Sequence, residues 1–204
     1  MTPITHATAL FQYLQSRGIT TPEPVKLGWT HVGGIIVDAV LQAQRSYEKV
    51  VRPRVLHIIN TYPEASTTSG FLGLMKQHDL KDVMQYQSDI RAHIAQDLAT
   101  GLLNHKLETV EDVRECFQTP DARTALVKDL RRIRGVGPKT VNYLGILVGD
   151  PHSFAIDARI YKVLRVAGVP RLTYGQAENV IRETASLLGW PVGALDATLW
   201  KLDI

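Results

Sequence analysis

Cysteine is almost missing from this sequence: Cys116 is the single one among 204 residues. One cysteine cannot form a disulfide within the chain, so a disulfide-stabilised scaffold is excluded and a reducing, cytoplasmic setting is expected. The same count excludes four-cysteine zinc and iron–sulfur sites. Cys116 lies in an amphipathic stretch, and a free cysteine in such a position usually fills the core.

Long apolar runs are missing as well. No segment approaches about 18 consecutive apolar residues, so no membrane-spanning helix is expected. Residues 1–6 lack a basic start and an apolar centre, so no secretory signal is expected there. The charge balance is only mildly basic, with 23 Lys and Arg against 20 Asp and Glu. A net charge of +3 fits a polyanionic partner without establishing one.

Strand-like alternation is the third absence, whereas helical periodicity runs through most of the chain. We therefore predict an all-α fold, and 204 residues are enough for one core or for two small lobes. The apolar run that begins at Ile35 is too long for a typical strand and predicts a buried helix. The predicted helices cover 5–17, 34–45, 46–59, 68–77, 80–87, 89–103, 109–117, 157–167, 174–188 and 193–202, with two more opening at 119–121 and at 138.

The segment 130–166 carries the strongest functional pattern. A Gly-Val-Gly turn at 135–137 separates two helices, and Pro138 suits the first position of the second helix. Glycine lets the backbone come close to a ligand, and the first N–H groups of a helix have no partner within it. Together with the helix dipole they form an anion site. Four basic residues flank this turn, namely Arg131, Arg132, Arg134 and Lys139.

The residue types around this turn allow catalysis or plain binding. Lys139 lies in the first turn of a helix, where the dipole favours the neutral, nucleophilic amine over the cation. Asp157 follows further along and could orient that amine or stabilise positive charge on a sugar ring. The alternatives are a phosphate contact for Lys139 and a helix N-cap for Asp157. For the turn itself, the alternative is a tight helix connection with a solvated basic face.

Two runs carry a resemblance to a known family. Residues 133–140 read Ile-Arg-Gly-Val-Gly-Pro-Lys-Thr, and residues 154–160 read Phe-Ala-Ile-Asp-Ala-Arg-Ile. They closely resemble the helix-hairpin-helix DNA glycosylase superfamily, in particular its endonuclease III-like members. The resemblance implies that Lys139 marks a bifunctional enzyme and that Asp157 is the catalytic carboxylate. It also implies a set of DNA contacts at the hairpin, formed by Arg134, Gly135, Val136, Gly137 and Thr140.

Two weaker matches add candidate residues. Residues 40–44 resemble a segment whose glutamine enters the duplex, which implies that role for Gln44. Residues 101–106 resemble a loop whose apolar residue wedges into the base stack, which implies that role for Leu102. An ordinary helix C-terminus is the alternative for Gln44. The alternative for Leu102 is the last core residue of its helix.

Two linkers, at 20–34 and at 149–151, suggest two helical lobes. We predict a central lobe at 33–151 and a second lobe formed by 1–32 with 152–204. Lys139 then belongs to the first lobe and Asp157 to the second, and the resemblance implies an active site in the cleft between them. Endonuclease III-like proteins often carry an iron–sulfur cluster, so the cluster-free branch is the better comparison.

The expected function is base excision DNA repair by a DNA glycosylase with AP lyase activity. Its partner would be double-stranded DNA with a damaged base or an abasic site, and Gln44 and Leu102 would fill the gap left by a flipped nucleotide. No cofactor is expected, although the hairpin carbonyls leave room for a monovalent cation. We expect a cytoplasmic monomer, associated with the nucleoid if the source is prokaryotic.

Three alternatives stay open at this point. The first is an enzyme that acts mainly on pre-formed abasic sites, and the second is a non-enzymatic helix-hairpin-helix DNA-binding module. The third is an all-α protein-interaction domain without a DNA role. The sequence does not assign the lesion.

Overall fold

The computed structural model describes residues 5–25, 28–42 and 45–204. Helices are the only regular secondary structure in these ranges, which contain no strand, and this confirms the predicted all-α class. None of the described helices is long and apolar enough to cross a membrane. The α-helices are α1 (His6–Ser16), α2 (Val32–Leu41), α3 (Arg52–Thr61), α4 (Thr68–Leu74), α5 (Leu80–Val83), α6 (Asp89–Asn104), α7 (Val110–Gln118), α8 (Pro120–Leu130), α9 (Pro138–Leu147), α10 (Ala158–Val166), α11 (Tyr174–Leu188) and α12 (Val192–Lys201).

The chain divides into two compact units. The larger is Leu27–Asp150, and the smaller combines Met1–Lys26 with Pro151–Ile204. The boundaries therefore fall at 26/27 and 150/151, whereas the sequence places them at 32/33 and 151/152. Residues just before α2 belong to the larger unit because the Trp29 indole bonds to Asp38 within it.

Helix α2 forms the centre of the larger unit, and each of its residues is buried, as its apolar composition predicts. Gly33 allows Phe71 to pack closely against α2, since a Cβ at this position would lie 2.8 Å from the Phe71 ring. His31 caps the helix through Nδ1, which accepts the Gly34 N–H at 3.2 Å. At the other end, Arg91 donates to the Val40 carbonyl at 2.9 Å. This arginine satisfies one of the last carbonyl groups of α2.

One predicted helix is divided in two. The expected helix at 46–59 appears as a π-helical turn, Tyr47–Val51, followed by α3. Pro53 has no N–H to donate back along the helix, so it cannot continue a regular α-helix that began before it. The Arg52 N–H instead reaches back to the Tyr47 carbonyl, which is the wider π spacing. A short 3-10 turn, Pro63–Ser66, then follows α3.

The smaller unit has its own core, formed where α1, α10, α11 and α12 meet. Its connecting segment 151–157 is largely buried, with Phe154 at 1% and Ile156 at 2% exposure. This segment is held against α12 because Gly193 brings the two backbones together, with its N–H donating to the Pro151 carbonyl at 2.9 Å. A Cβ at Gly193 would lie 2.9 Å from the same oxygen.

Candidate nucleic-acid and catalytic site

The hairpin turn joins α8 to α9, and its geometry requires glycine at one position. Gly135 has φ +92°, a region that side chains rarely adopt, and a Cβ there would lie 2.7 Å from Ile94 Cδ1. The next residue, Val136, is 5% exposed and packs into the core. Its N–H donates to the Ile133 carbonyl at 3.0 Å. Val136 therefore anchors the turn, and both its side chain and its N–H are engaged within the protein.

The start of α9 is the most suitable anion site in the hairpin. Gly137 is its N-cap residue and provides no side-chain cap, and Pro138 follows it. The N–H groups of Lys139 and Thr140 belong to the first turn, so no acceptor within the helix is available to them. The helix dipole adds partial positive charge at this end. Both side chains are half-buried, which places an amine and a hydroxyl beside these N–H groups.

Basic side chains surround the hairpin. Arg131, Arg132 and Arg134 are exposed, and the Arg132 guanidinium contacts the Asp129 carboxylate at 3.0 Å. A shallow groove along α8 continues this basic surface; its lining includes Arg123, Lys128, Arg131 and Arg132. Such a surface suits contact with phosphates independently of base sequence.

Asp157 lies in the smaller unit and caps α10. Its Oδ1 accepts the Ile160 N–H at 2.9 Å, so the predicted N-cap role is confirmed. This bond fixes the carboxylate at the positive end of a helix, which stabilises its negative charge. Capping uses Oδ1, and a carboxylate has a second oxygen with which to act on another group.

The proposed wedge role of Leu102 is wrong. The side chain is 1% exposed and forms part of the core of the larger unit. Its neighbour Gly101 lies against Leu130, where a Cβ would come within 2.6 Å of Cδ2, so this end of α6 packs against α8. The alternative, that Leu102 is the last core residue of its helix, is confirmed. Gln44, the other predicted gap-filling residue, lies outside the described residues.

A second polar cluster, which the sequence did not single out, surrounds Asp38 in the middle of α2. This carboxylate is fully buried at 0% exposure. Its Oδ2 accepts from the Trp29 indole N–H at 2.8 Å and from the Tyr47 hydroxyl at 3.3 Å. Its Oδ1 accepts from the Tyr143 hydroxyl at 3.4 Å. Three aromatic donors from three parts of the larger unit thus converge on one buried acid.

Burial raises the pKa of Asp38 to about 6, and the three donated hydrogen bonds oppose that rise. Burial and the nearby Asp38 charge raise the pKa of Tyr47 to about 12. Tyr143 follows Lys139 by four positions on α9, so the two side chains lie on one face of that helix. The sequence feature that could have indicated this cluster is a single carboxylate, Asp38, in the otherwise apolar run Val-Gly-Gly-Ile-Ile-Val-Asp-Ala-Val-Leu.

A family model described as a domain of unknown function, DUF8548, matches residues 15–203. The chain belongs to the DUF8548 family. The matched range includes the hairpin, Lys139, Asp157 and the Asp38 cluster. No curated protein and no solved structure matches the chain.

Two other kinds of reactive site are relevant to this DUF8548 chain, a metal site and a reactive cysteine. Among the described residues, no group of three or more His, Cys, Asp or Glu side chains is placed to hold a metal ion. Cys116 is 8% exposed in the core of the larger unit, as expected. Burial raises the pKa of its thiol, which disfavours the reactive thiolate.

Proposed function

We propose that this chain is a DNA glycosylase with AP lyase activity that acts in base excision repair. The hairpin is the observation that carries the proposal. Gly135 turns the backbone at positive φ into an uncapped helix N-terminus, and the first turn of that helix contains Lys139. An anion-binding backbone and an amine therefore occur within a single helical turn, which suits a nucleophile that must act beside a DNA phosphate.

In the proposed complex, the first-turn N–H groups of α9 bind a backbone phosphate next to the lesion. The exposed arginines around the hairpin, Arg131, Arg132 and Arg134, extend this contact along the strand. Such binding is independent of sequence and weakens as salt rises, because each neutralised phosphate releases counterions. Selectivity comes from flipping, which costs least for a damaged or mispaired base.

The covalent step uses the neutral amine of Lys139. Nζ forms a bond to C1′ of the deoxyribose while the bond from C1′ to the base breaks, and the base leaves with the electron pair and takes up a proton. Loss of a proton from the nitrogen and opening of the sugar ring then give a Schiff base. Removal of a C2′ proton expels the 3′ phosphate, and this elimination nicks the strand. Water hydrolyses the Schiff base and regenerates the amine.

Asp157 supports the first of these steps. Positive charge develops on the sugar ring as the base departs, and a fixed carboxylate stabilises that charge. Its capping bond to the Ile160 N–H holds the carboxylate in one orientation, so it needs no reorganisation during the reaction. Asp157 can also accept a proton from the attacking amine.

A non-enzymatic DNA-binding module is the second candidate, and the confirmed cap favours it. An aspartate that caps α10 already has a structural reason for its position, and Lys139 would then be a phosphate contact. The two functions differ in whether the amine of Lys139 reacts with the sugar.

Borohydride trapping separates them, because borohydride reduces a Schiff base to a permanent crosslink. The native protein is incubated with a duplex that contains one abasic site, and crosslinked protein is measured on a denaturing gel. Lys139→Ala is expected to lose the crosslink and to retain salt-dependent duplex binding. Lys76→Ala is the matched control, since Lys76 is an exposed lysine of the same unit that belongs neither to the hairpin turn nor to α8 or α9.

A crosslink that survives in Lys139→Ala would refute the nucleophile assignment. If the native protein binds the duplex tightly and forms no crosslink, the lyase is refuted. Release of a free base from a lesion panel then identifies a monofunctional glycosylase, and its absence leaves the binding module.

A further inference from the structure

A buried acid of the smaller unit, Asp196, is not used in the proposed reaction. It lies on α12, and its side chain belongs to the face that the helix buries. The residue is 7% exposed, while its neighbours on that face are apolar, such as Leu195 and Leu199 at 0% exposure. A charged carboxylate is unfavourable in these surroundings unless it is paired or neutralised by a proton.

The backbone places Asp196 beside the segment that leads to Asp157. Gly193 allows α12 to lie directly against residues 151–153, since a Cβ there would meet the Pro151 and Ser153 carbonyl oxygens at 2.9 and 3.1 Å. One turn further along α12 lies Asp196, whose pKa is lowered by the nearby Ala155 backbone N–H. Asp157 follows two residues after Ala155, and its negative charge acts on Asp196.

One oxygen of Asp196 is left without a partner. Oδ1 is buried and accepts no hydrogen bond from any residue that the structure describes. Buried polar atoms are rarely left in this state, because the lost hydration is not replaced. A proton on this carboxyl group removes its charge and with it most of that penalty. Burial first, and the Asp157 charge second, raise the pKa of Asp196 to about 7.

The cations near α12 are engaged elsewhere. Arg159 on α10 donates to the Leu202 carbonyl and stacks over the Trp200 ring at 5.6 Å. Its Nε is buried, has no hydrogen-bond partner in the described part of the chain and forms no ion pair with Asp196. Arg182 on α11 stacks over the Phe154 ring at 4.8 Å. Lys201, on α12 itself, pairs with Glu23. His152, in the connecting segment, has an exposed side chain. Within the described ranges, no cation lies at ion-pair distance from Asp196, so Asp157 provides the charge that acts on it.

We propose that Asp196 is a positioning residue for the proposed glycosylase and lyase reaction, and that it forms a carboxyl pair with Asp157. Below neutral pH, Asp196 holds a proton and is uncharged beside Asp157. Above neutral pH, Asp196 ionises, and its repulsion pushes on the carboxylate that supports the reaction. This inference rests on the proposed function for its catalytic part, whereas the pair itself does not.

The positive charge that develops on the sugar is best stabilised by a carboxylate in one fixed position. A second negative charge on α12, at Asp196, repels the Asp157 carboxylate and disturbs that position. The ionisation of Asp196 therefore gives the reaction a dependence on pH near neutrality.

The first experiment is independent of any activity. The carboxyl carbon signals of the folded full chain are followed by NMR from pH 5 to 9 and assigned with Asp196→Asn and Asp157→Asn. Asp196 is expected to titrate near pH 7, and Asp157→Asn is expected to move this midpoint to lower pH by removing a negative charge. Asp203→Asn, an exposed aspartate close by, is the matched control and should leave the midpoint unchanged.

The second experiment measures the rate of borohydride trapping on abasic duplex over the same pH range. The rate of Asp196→Asn divided by the native rate cancels any pH dependence that the two proteins share. Asparagine has nearly the shape of the protonated carboxyl group and stays neutral, so this ratio should be near one at low pH. It should rise severalfold through the midpoint found by NMR, whereas Asp203→Asn should give a flat ratio.

The outcomes separate the pair from the function. If Asp196 does not titrate near neutrality, or ignores the Asp157→Asn change, the inference is overturned whatever the enzyme does. A rate ratio that stays constant with pH, while the Asp196 midpoint still responds to Asp157→Asn, would refute the positioning role. That result would show that Asp196 is a purely structural group. If the native protein forms no crosslink while the coupled titration is present, the proposed lyase fails and the positioning role fails with it.

Discussion

Replacement of Asp38 by asparagine should stabilise the protein at alkaline pH. The folded pKa is about 6 against an ordinary value of 3.8, so the two differ by about 2 units. At about 1.4 kcal/mol per unit, the ionised acid costs the folded state about 3 kcal/mol relative to the neutral acid. Asparagine has nearly the same shape and no charge, so it should avoid that cost.

The direction in which stability changes with pH follows from the direction of the Asp38 pKa shift. A raised folded pKa means that the folded state binds the proton more tightly than the unfolded chain. The resulting stability is complete below pH 3.8, is lost as the pH rises to about 6, and changes no further above that value. The advantage of Asp38→Asn should therefore be small at pH 4 and approach about 3 kcal/mol at pH 8.

The hydrogen bonds of the cluster can survive this change. The amide oxygen can accept from Trp29 and Tyr47, as Oδ2 does now. The amide nitrogen can donate to the hydroxyl oxygen of Tyr143, which can turn its own proton to another acceptor. The second N–H of the amide has no acceptor among these groups, but this cost is the same at every pH, so the pH dependence of the difference still reports the loss of charge.

Urea unfolding of the native protein and of Asp38→Asn at pH 4, 6 and 8 provides the measurement. Asp97→Asn serves as the matched control, because Asp97 is an exposed aspartate on α6 of the same unit. Its unfolding free energy should stay close to the native value at every pH. An Asp38→Asn advantage that is the same at pH 4 and pH 8 would refute the argument, since only the ionisation of Asp38 makes the difference depend on pH.

Two further predictions concern the hairpin and its support. Leu102→Ala should lower the free energy of unfolding, measured in urea, by about 2–5 kcal/mol, because it leaves a cavity in the core. A loss below about 0.5 kcal/mol would show that Leu102 is not a core residue and would favour the wedge role again. Gly135→Ala should destabilise by about 1–2 kcal/mol, since φ is +92° and the new Cβ meets Ile94. Its affinity for duplex in a fluorescence titration should fall more than that of Gly137→Ala, where no atom lies within 4 Å of a new Cβ; equal losses would contradict the argument.

Much of the fold was readable because its signals are local. The absence of alternation predicted an all-α chain, and the nearly continuous apolar run of α2 predicted a buried helix. The π turn before α3 was not predicted, although Pro53 was visible. A proline near a helix start is usually tolerated, and the sequence does not show how far before it the chain is already wound.

The part of the candidate site that could be predicted from the sequence is the hairpin turn, because its backbone conformation depends on local residues alone. A Gly-Val-Gly turn followed by proline predicts a positive φ and an uncapped helix start, and both are present. The role of Leu102 could not be decided from spacing, because a helix end gives the same pattern whether it faces solvent or another helix. Packing against α8 decides it, and that contact joins distant parts of the chain.

The two buried acids, Asp38 and Asp196, are recognisable in the sequence as unusual, but their partners are not. Asp38 and Asp196 each stand alone in an apolar helix, which marks them in the sequence as costly. The partners that give them meaning are distant: Tyr143 lies 105 positions from Asp38, and Asp157 lies on another element than Asp196. Asp38 has its hydrogen bonds filled by three donors, so a packing role accounts for it. Asp196 keeps a buried oxygen without a partner beside the carboxylate proposed to act in the reaction. That unpartnered oxygen, and not burial alone, distinguishes Asp196 from Asp38 and makes Asp196 the acid to test for a role in the reaction.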